Sequence, residues 1–331
     1  MDRRTAVRRL AALGVGTSPF GAWAQTTRRE RPFRIGVVPD ALGEKWFVEA
    51  MGTLGWTEGA DFTVLRSGYS DGDPNLDDAV RRVVAGNVDL IYVSSTAGAI
   101  SARRLTSTVP IVMFSSGYPV EAGLANSLAR PGKNVTGNTQ YAGTGVWGKL
   151  PELLHEASPA VRRISAFWTY GPPKFAAEES EMVYKEFAEI ERALRLSIQV
   201  IKVATPDDAA RGLARLEAGR ADALIVTASH GLGIAQEVMR FAVNRRLPTI
   251  TDWHWPTTIE PYPLLSYGPP MAELARTSLT YIDRIMKGAK PGDLPIQQPA
   301  KFALVVNLKT ANAIGLQVPQ ALLLRADEVI Q

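Results

Sequence analysis

The chain has 331 residues, 46% of them hydrophobic and 21% charged, an ordinary globular composition with room for two domains, each with its own core. It carries 37 Lys and Arg against 33 Asp and Glu, but four Arg and one Asp fall within the first 24 residues, and without them the balance is 33 against 32. That near-neutrality removes the electrostatic footprint of a nucleic-acid or anionic-membrane binder, and the lack of any cysteine removes disulfides, thiolate metal sites and cysteine nucleophiles.

Residues 1–24 read as an export signal. Arg3-Arg4 and Arg8-Arg9 give a positive start, a short mildly apolar stretch comes next, and Ala22-Trp23-Ala24 has the small-x-small pattern of a signal-peptidase site cutting before Gln25. Gly14, Gly16, Pro19 and Gly21 interrupt the apolar stretch, which is too short to span a bilayer. The Arg3-Arg4 pair ahead of so weak an apolar region points to the twin-arginine route, with general secretion and a plain basic tail as the alternatives. The mature protein is therefore expected in the periplasm, an oxidising compartment that a cysteine-free chain suits.

From residue 33 a regular rhythm begins. Short apolar, β-branched runs at 33–38, 61–65, 89–93, 110–114 and 134–137 read as strands, separated by helical spacing at 46–54, 75–85 and 97–105. The rhythm restarts with a helix at 146–155, strands at 163–168, 197–203, 223–227 and 249–252, and helices at 178–193, 206–217 and 234–244. Near-continuous apolar strands alternating with helices mark parallel sheets covered on both faces, so two such blocks predict two doubly wound α/β lobes. A strand from 264, a helix over 271–286, a Pro-rich segment over 291–299 and an apolar stretch over 302–308 remain. They predict that the chain recrosses between lobes, with 33–140 and about 265–297 in the first, and 141–264 and about 298–331 in the second.

In open parallel sheets, solutes bind outside the carboxyl ends of the strands, and two such sheets face to face make a cleft that closes. The strand ends are therefore the places to look for chemistry. After the third strand, Ser95 and Thr96 open a helix, where hydroxyls and backbone N–H groups suit a carboxylate, or else simply cap the helix. After the fourth come Ser116, Gly117 and Tyr118. In the second block, Trp168 and Tyr170 are placed to stack on a planar solute or to pack on their own lobe. Ser229 and His230 end one strand there, and Asp252 and Trp253 another. Asp252 suits a ligand ammonium, with a turn cap as the bland reading.

Three enzyme-like patterns fail. Residues 143–149, with Gly143, Gly145, Gly148 and Lys149, have the spacing of a dinucleotide or phosphate loop, yet Leu150 comes after the lysine and no strand directly precedes the glycines. Ser229, His230 and Asp252 lack the nucleophile elbow of a hydrolase. His155, His230 and His254 have no metal-ligand spacing. Neither a metal nor a cofactor is expected, and no catalytic residue.

Residues 127–137 (SLARPGKNVTG), 266–269 (SYGP) and 287–330 (KGAKPGDLPIQQPAKFALVVNLKTANAIGLQVPQALLLRADEVI) resemble the ABC-transporter substrate-binding proteins grouped with importers of tryptophan and other aromatic amino acids. The resemblance implies a type I periplasmic binding fold, capture of a small solute between the lobes, and delivery to an ABC permease in the inner membrane. A monomer without nucleic-acid partners is expected. Where the family commonly has Gly-Asp-Pro-Val after the fourth strand, this chain has Gly117-Tyr118-Pro119-Val120, a phenol in place of an acid. The inventory fits an aromatic amino acid or aromatic carboxylate best, with another amino acid such as a branched aliphatic one, or a nucleoside-like solute, as the alternatives. A module presenting its ligand to a receptor kinase, an enzyme on the same fold and a DNA-binding regulator are the rivals, and the last would need a helix-turn-helix where the export signal stands.

Overall fold

Five short strands, mostly buried except for the edge strand β2, build the first sheet: β1 (Phe33–Val38), β2 (Phe62–Arg66), β3 (Leu90–Val93), β4 (Ile111–Ser116) and β5 (Val135–Thr139). All neighbours are parallel, in the order β2-β1-β3-β4-β5. Helices α1 (Glu44–Thr53), α2 (Leu76–Ala85) and α3 (Thr96–Leu105) connect the first four strands. The computed structural model describes residues 31–38, 44–68, 75–141, 145–169, 173–203, 206–227, 232–253 and 260–331, so the expected export signal lies outside the described residues.

The second block opens with α4 (Val146–Ala157) and continues through β6 (Arg163–Thr169), α5 (Pro173–Leu194), β7 (Ser197–Val203), α6 (Pro206–Ala218), β8 (Ala223–Val226), α7 (Leu232–Asn244), β9 (Thr249–Thr251) and β10 (Leu265–Gly268). Its parallel strands run β7-β6-β8-β9-β10, repeating the path of the first sheet. In this winding the order reverses beside the first strand of each block, the point outside which open sheets of this kind generally form a crevice. The two doubly wound lobes read from the sequence are thus present.

The remaining chain explains how they are joined. Helix α8 (Met271–Met286) returns to the first lobe, where Leu274, Leu279 and Ile282 pack with Phe47, Met51 and Tyr92. The Tyr92 hydroxyl lies 2.8 Å from Ser278 Oγ on α8, and full burial pushes its phenol above the usual tyrosine range. After a 3-10 turn at Pro291–Asp293, the chain crosses again to β11 (Ala303–Asn307), α9 (Leu308–Ile314), α10 (Gln320–Arg325) and β12 (Glu328–Ile330). These complete a seven-stranded second sheet, in which β11 runs antiparallel to β10 because it enters from the other lobe.

One boundary differs from the sequence expectation. Residues 265–268 belong to the second sheet, with Leu265 aligned on Ile250 of β9 and on Val306 of β11. The return to the first lobe begins only at Pro269 and Pro270, which have no N–H to extend the ladder. The three crossings lie close together at the end of β5, where Asn138 bridges to Gln297 and its Nδ2 donates to the Phe114 and Leu274 carbonyls at 3.1 and 2.7 Å.

Candidate functional site

The carboxyl ends of β3, β4 and β5 form one hydrogen-bonded surface on the first lobe. Ser95 caps α3, its Oγ accepting from the Gly98 N–H at 3.2 Å. Thr96 Oγ1 lies 3.1 Å from Ser116 Oγ and accepts from the Gly117 N–H at 2.8 Å. The Gln140 N–H donates to the Ser116 carbonyl at 2.7 Å. Thr96, Ser116 and Gly117, singled out from sequence, are therefore brought together, but their polar groups bond one another. Backbone N–H groups of Thr96 and Ala97, in the first turn of α3, have no partner within the helix and are what this lobe offers an anion.

Between the lobes runs a chain of four aromatic rings. Tyr118, 7% exposed in the loop after β4, packs on Tyr141 at 5.3 Å between centroids. Tyr141, at the first crossing, packs on Trp147 of α4 at 5.0 Å, and Trp147 on Trp168 of β6 at 4.4 Å. The Trp147 Nε1–H donates to the Tyr118 hydroxyl at 2.9 Å, so a first-lobe loop is hydrogen-bonded to a second-lobe helix. All four rings share one buried cluster with Ile164, Ala166 and Leu265 of the second lobe. The lobes are in contact, and the phenol in place of the family's acid makes that contact.

Asp252 comes directly after β9 and is 1% exposed. Its Oδ2 accepts from the Tyr141 hydroxyl at 3.1 Å and from Gln140 Nε2 at 3.3 Å. The carboxylate thus sits beside the aromatic chain, with the Tyr141 hydroxyl and the Gln140 amide among its donors. Trp253 does not join it. Successive residues leave a strand on opposite sides, and the Trp253 ring packs instead against the cluster of Phe167, Val226 and Tyr262 on the other face of the sheet. Tyr170, Ser229 and His230 lie outside the described residues.

Sequence reasoning missed Gln140, Tyr141 and Trp147. The first two come directly after β5, which continues to Thr139, two residues beyond the strand read from sequence, so the strand-end rule would have found them. Trp147 was hidden inside the glycine-rich pattern at 143–149. That pattern has a structural use: the buried Glu186 of α5 accepts from the Trp147 and Gly148 N–H groups at 2.9 and 3.1 Å. An internal carboxylate therefore occupies the amino end of α4, where a phosphate would have to bind. Lys149 pairs with Glu152 at 2.6 Å.

Among the described residues no group of three or more His, Asp or Glu is placed to hold a metal, and no helix is long and apolar enough to cross a membrane. The chain is 22% identical over 277 residues, 83% of its own length and 76% of the other's, to a tyrosine-binding protein of Clostridioides difficile. Its fold matches that of an ABC domain from Streptococcus pneumonia in complex with L-Trp, with a TM-score of 0.75, 21% identity, and coverage of 90% of this chain and 100% of that one. It matches a conserved domain protein of Vibrio cholerae equally well, with a TM-score of 0.75 at 23% identity over 91% of this chain and 100% of that one. At these identities the structural likeness is one of fold, that of the type I periplasmic binding proteins. The family model described as ABC transporter substrate binding protein matches residues 47–330, and over that span the chain belongs to the ABC transporter substrate-binding proteins.

Proposed function

We propose that this chain is the extracytoplasmic solute-binding component of an ABC importer, closing its lobes on an aromatic amino acid or aromatic carboxylate and handing it to an inner-membrane permease. The observation that carries the solute class is the aromatic chain from Tyr118 to Trp168 lying beside the buried Asp252 at the carboxyl ends of both sheets. Rings there supply flat apolar surface, Asp252 takes the ammonium, and the α3 amino end takes the carboxylate. The tyrosine-binding relative and the L-Trp complex of similar fold agree with this chemistry. Export to the periplasm with cleavage near Ala24, and action as a monomer, complete the reading; it requires no catalytic step.

Asp252→Asn tests the assignment, because it keeps an acceptor oxygen for Tyr141 and Gln140 and removes the charge. By titration calorimetry, affinity for L-phenylalanine falls about 10- to 100-fold, the worth of a charge-assisted hydrogen bond. Affinity for 3-phenylpropionate, which has no amine, stays as it was. Equal losses for both would restrict Asp252 to holding the crossing segment.

A further inference from the structure

The aromatic cluster contains two indole N–H groups, and they are treated differently. Trp147 Nε1 has the Tyr118 hydroxyl at 2.9 Å. Trp168 Nε1, on a side chain only 2% exposed, is enclosed and has no hydrogen-bond partner. Buried donors without partners are rare in native proteins, and each calls for an explanation. Its cost changes an equilibrium constant by roughly ten- to a hundredfold.

The position of Trp168 supplies the explanation. Phe167, Val226 and Thr251 are aligned across β6, β8 and β9, so the next residues, Trp168, Thr227 and Asp252, stand side by side at the strand ends. Phe167 and Val226 point into the cluster on one face of the sheet, and Trp168 into the interlobe cluster on the other. Trp168 and Asp252 are separated by one strand, a backbone distance of roughly 10 Å. The unsatisfied N–H therefore belongs to the same strand-end row as the charge assigned to the solute amine.

We infer that Trp168 Nε1–H is the group that makes closure depend on the solute: it donates to an acceptor oxygen of the bound solute, and it is left without a partner when the lobes close empty. In the open form water satisfies it. Closing on a solute with a carboxylate, carbonyl or phenol oxygen at that place replaces the water; closing on nothing, or on an amine without an acceptor, leaves the donor buried and unpaired. Trp168 is thus a specificity-determining residue that selects for acceptor-bearing solutes and biases the solute-free protein towards opening. The solute chemistry rests on the proposed function; the bias against empty closure does not.

Trp168→Phe keeps a ring and removes the donor, and the two consequences have opposite signs. Because the chain has no cysteine, spin labels are readily placed at Thr63→Cys and Glu217→Cys, one exposed position on each lobe. Electron–electron distance measurements on the solute-free protein are expected to give about a tenfold higher closed-to-open ratio in Trp168→Phe. Its affinity for L-phenylalanine falls about tenfold, while that for phenethylamine, which lacks the carboxylate, does not fall. An unchanged distance distribution overturns the inference whichever probe binds. Failure of every aromatic probe to bind either protein, with the shift towards closure intact, contradicts the aromatic reading and leaves the role of Trp168 standing. Should the substitution disturb packing, the Trp168 indole N–H resonance of the wild-type protein serves instead: it moves downfield on adding L-phenylalanine, and a resonance that stays in place overturns the inference.

Discussion

Gly137→Ala is expected to be among the most damaging single-methyl changes in the first lobe, lowering the melting temperature by roughly 4–12 °C. Gly137 lies in β5 at φ +126°, a conformation side chains rarely adopt. A Cβ there would stand 2.5 Å from the Met113 nitrogen and closer still to its carbonyl oxygen, both backbone atoms of the neighbouring strand. Backbone strain of about 1–3 kcal/mol adds to overpacking of about the same size, and for a chain of this length each kcal/mol is worth about 2 °C. The strand that must yield is β4, whose register shifts between Met113 and Ser116, at the start of the loop that carries Gly117 and Tyr118. Solute affinity therefore falls along with stability. Gly123→Ala is the control: its φ is +69°, but nothing stands within 4 Å of its missing Cβ, so it bears the conformational penalty alone. Thermal unfolding of the two variants side by side measures the difference, and equal melting temperatures would contradict the close approach of β4 and β5.

Trp147→Ala has an effect of comparable size in the second lobe and reaches further. The side chain is 1% exposed and sits between the Tyr141 and Trp168 rings. Its removal costs about 3–5 kcal/mol, as for other buried tryptophans, and it takes away the donor to Tyr118 that joins the lobes. Trp147→Phe keeps one ring and removes the donor along with part of the packing. Combined with Tyr118→Phe it forms a double-mutant cycle that isolates the hydrogen bond from the packing loss, with a coupling of about 1 kcal/mol expected in solute binding. Additive effects on affinity would show that the hydrogen bond does not contribute to the closed form.

Much of this architecture was legible because parallel strands advertise themselves. Residues 33–38 and 271–286 coincide with β1 and α8, since a continuous apolar run and a clean helical period each leave one reading. What escaped depends on partners distant in sequence. Residues 328–330, Glu328-Val329-Ile330, have no strand pattern of their own and become β12 by pairing with β11. Residues 265–268 were assigned to the wrong lobe because nothing local says which sheet a buried tetrapeptide joins. Of the candidate residues, the proximity of Thr96, Ser116 and Gly117 was legible from their places at or just beyond a strand end. Trp253 was misplaced because the side a residue faces after a strand depends on the register of the last strand residue. The cap that Glu186 provides to α4 joins residues 39 apart and has no signature in either helix.

The most direct test of solute capture is a thermal-shift titration of the purified protein with L-tyrosine, L-tryptophan, L-phenylalanine and 3-phenylpropionate, with ribose and L-leucine as controls. A solute at about 100 times its Kd stabilises the folded state by about 2.7 kcal/mol, which corresponds to roughly 5 °C for a chain of this size. The account predicts such a rise with one or more aromatic acids and none with the controls. A rise with ribose alone, or with leucine and no aromatic compound, would contradict it.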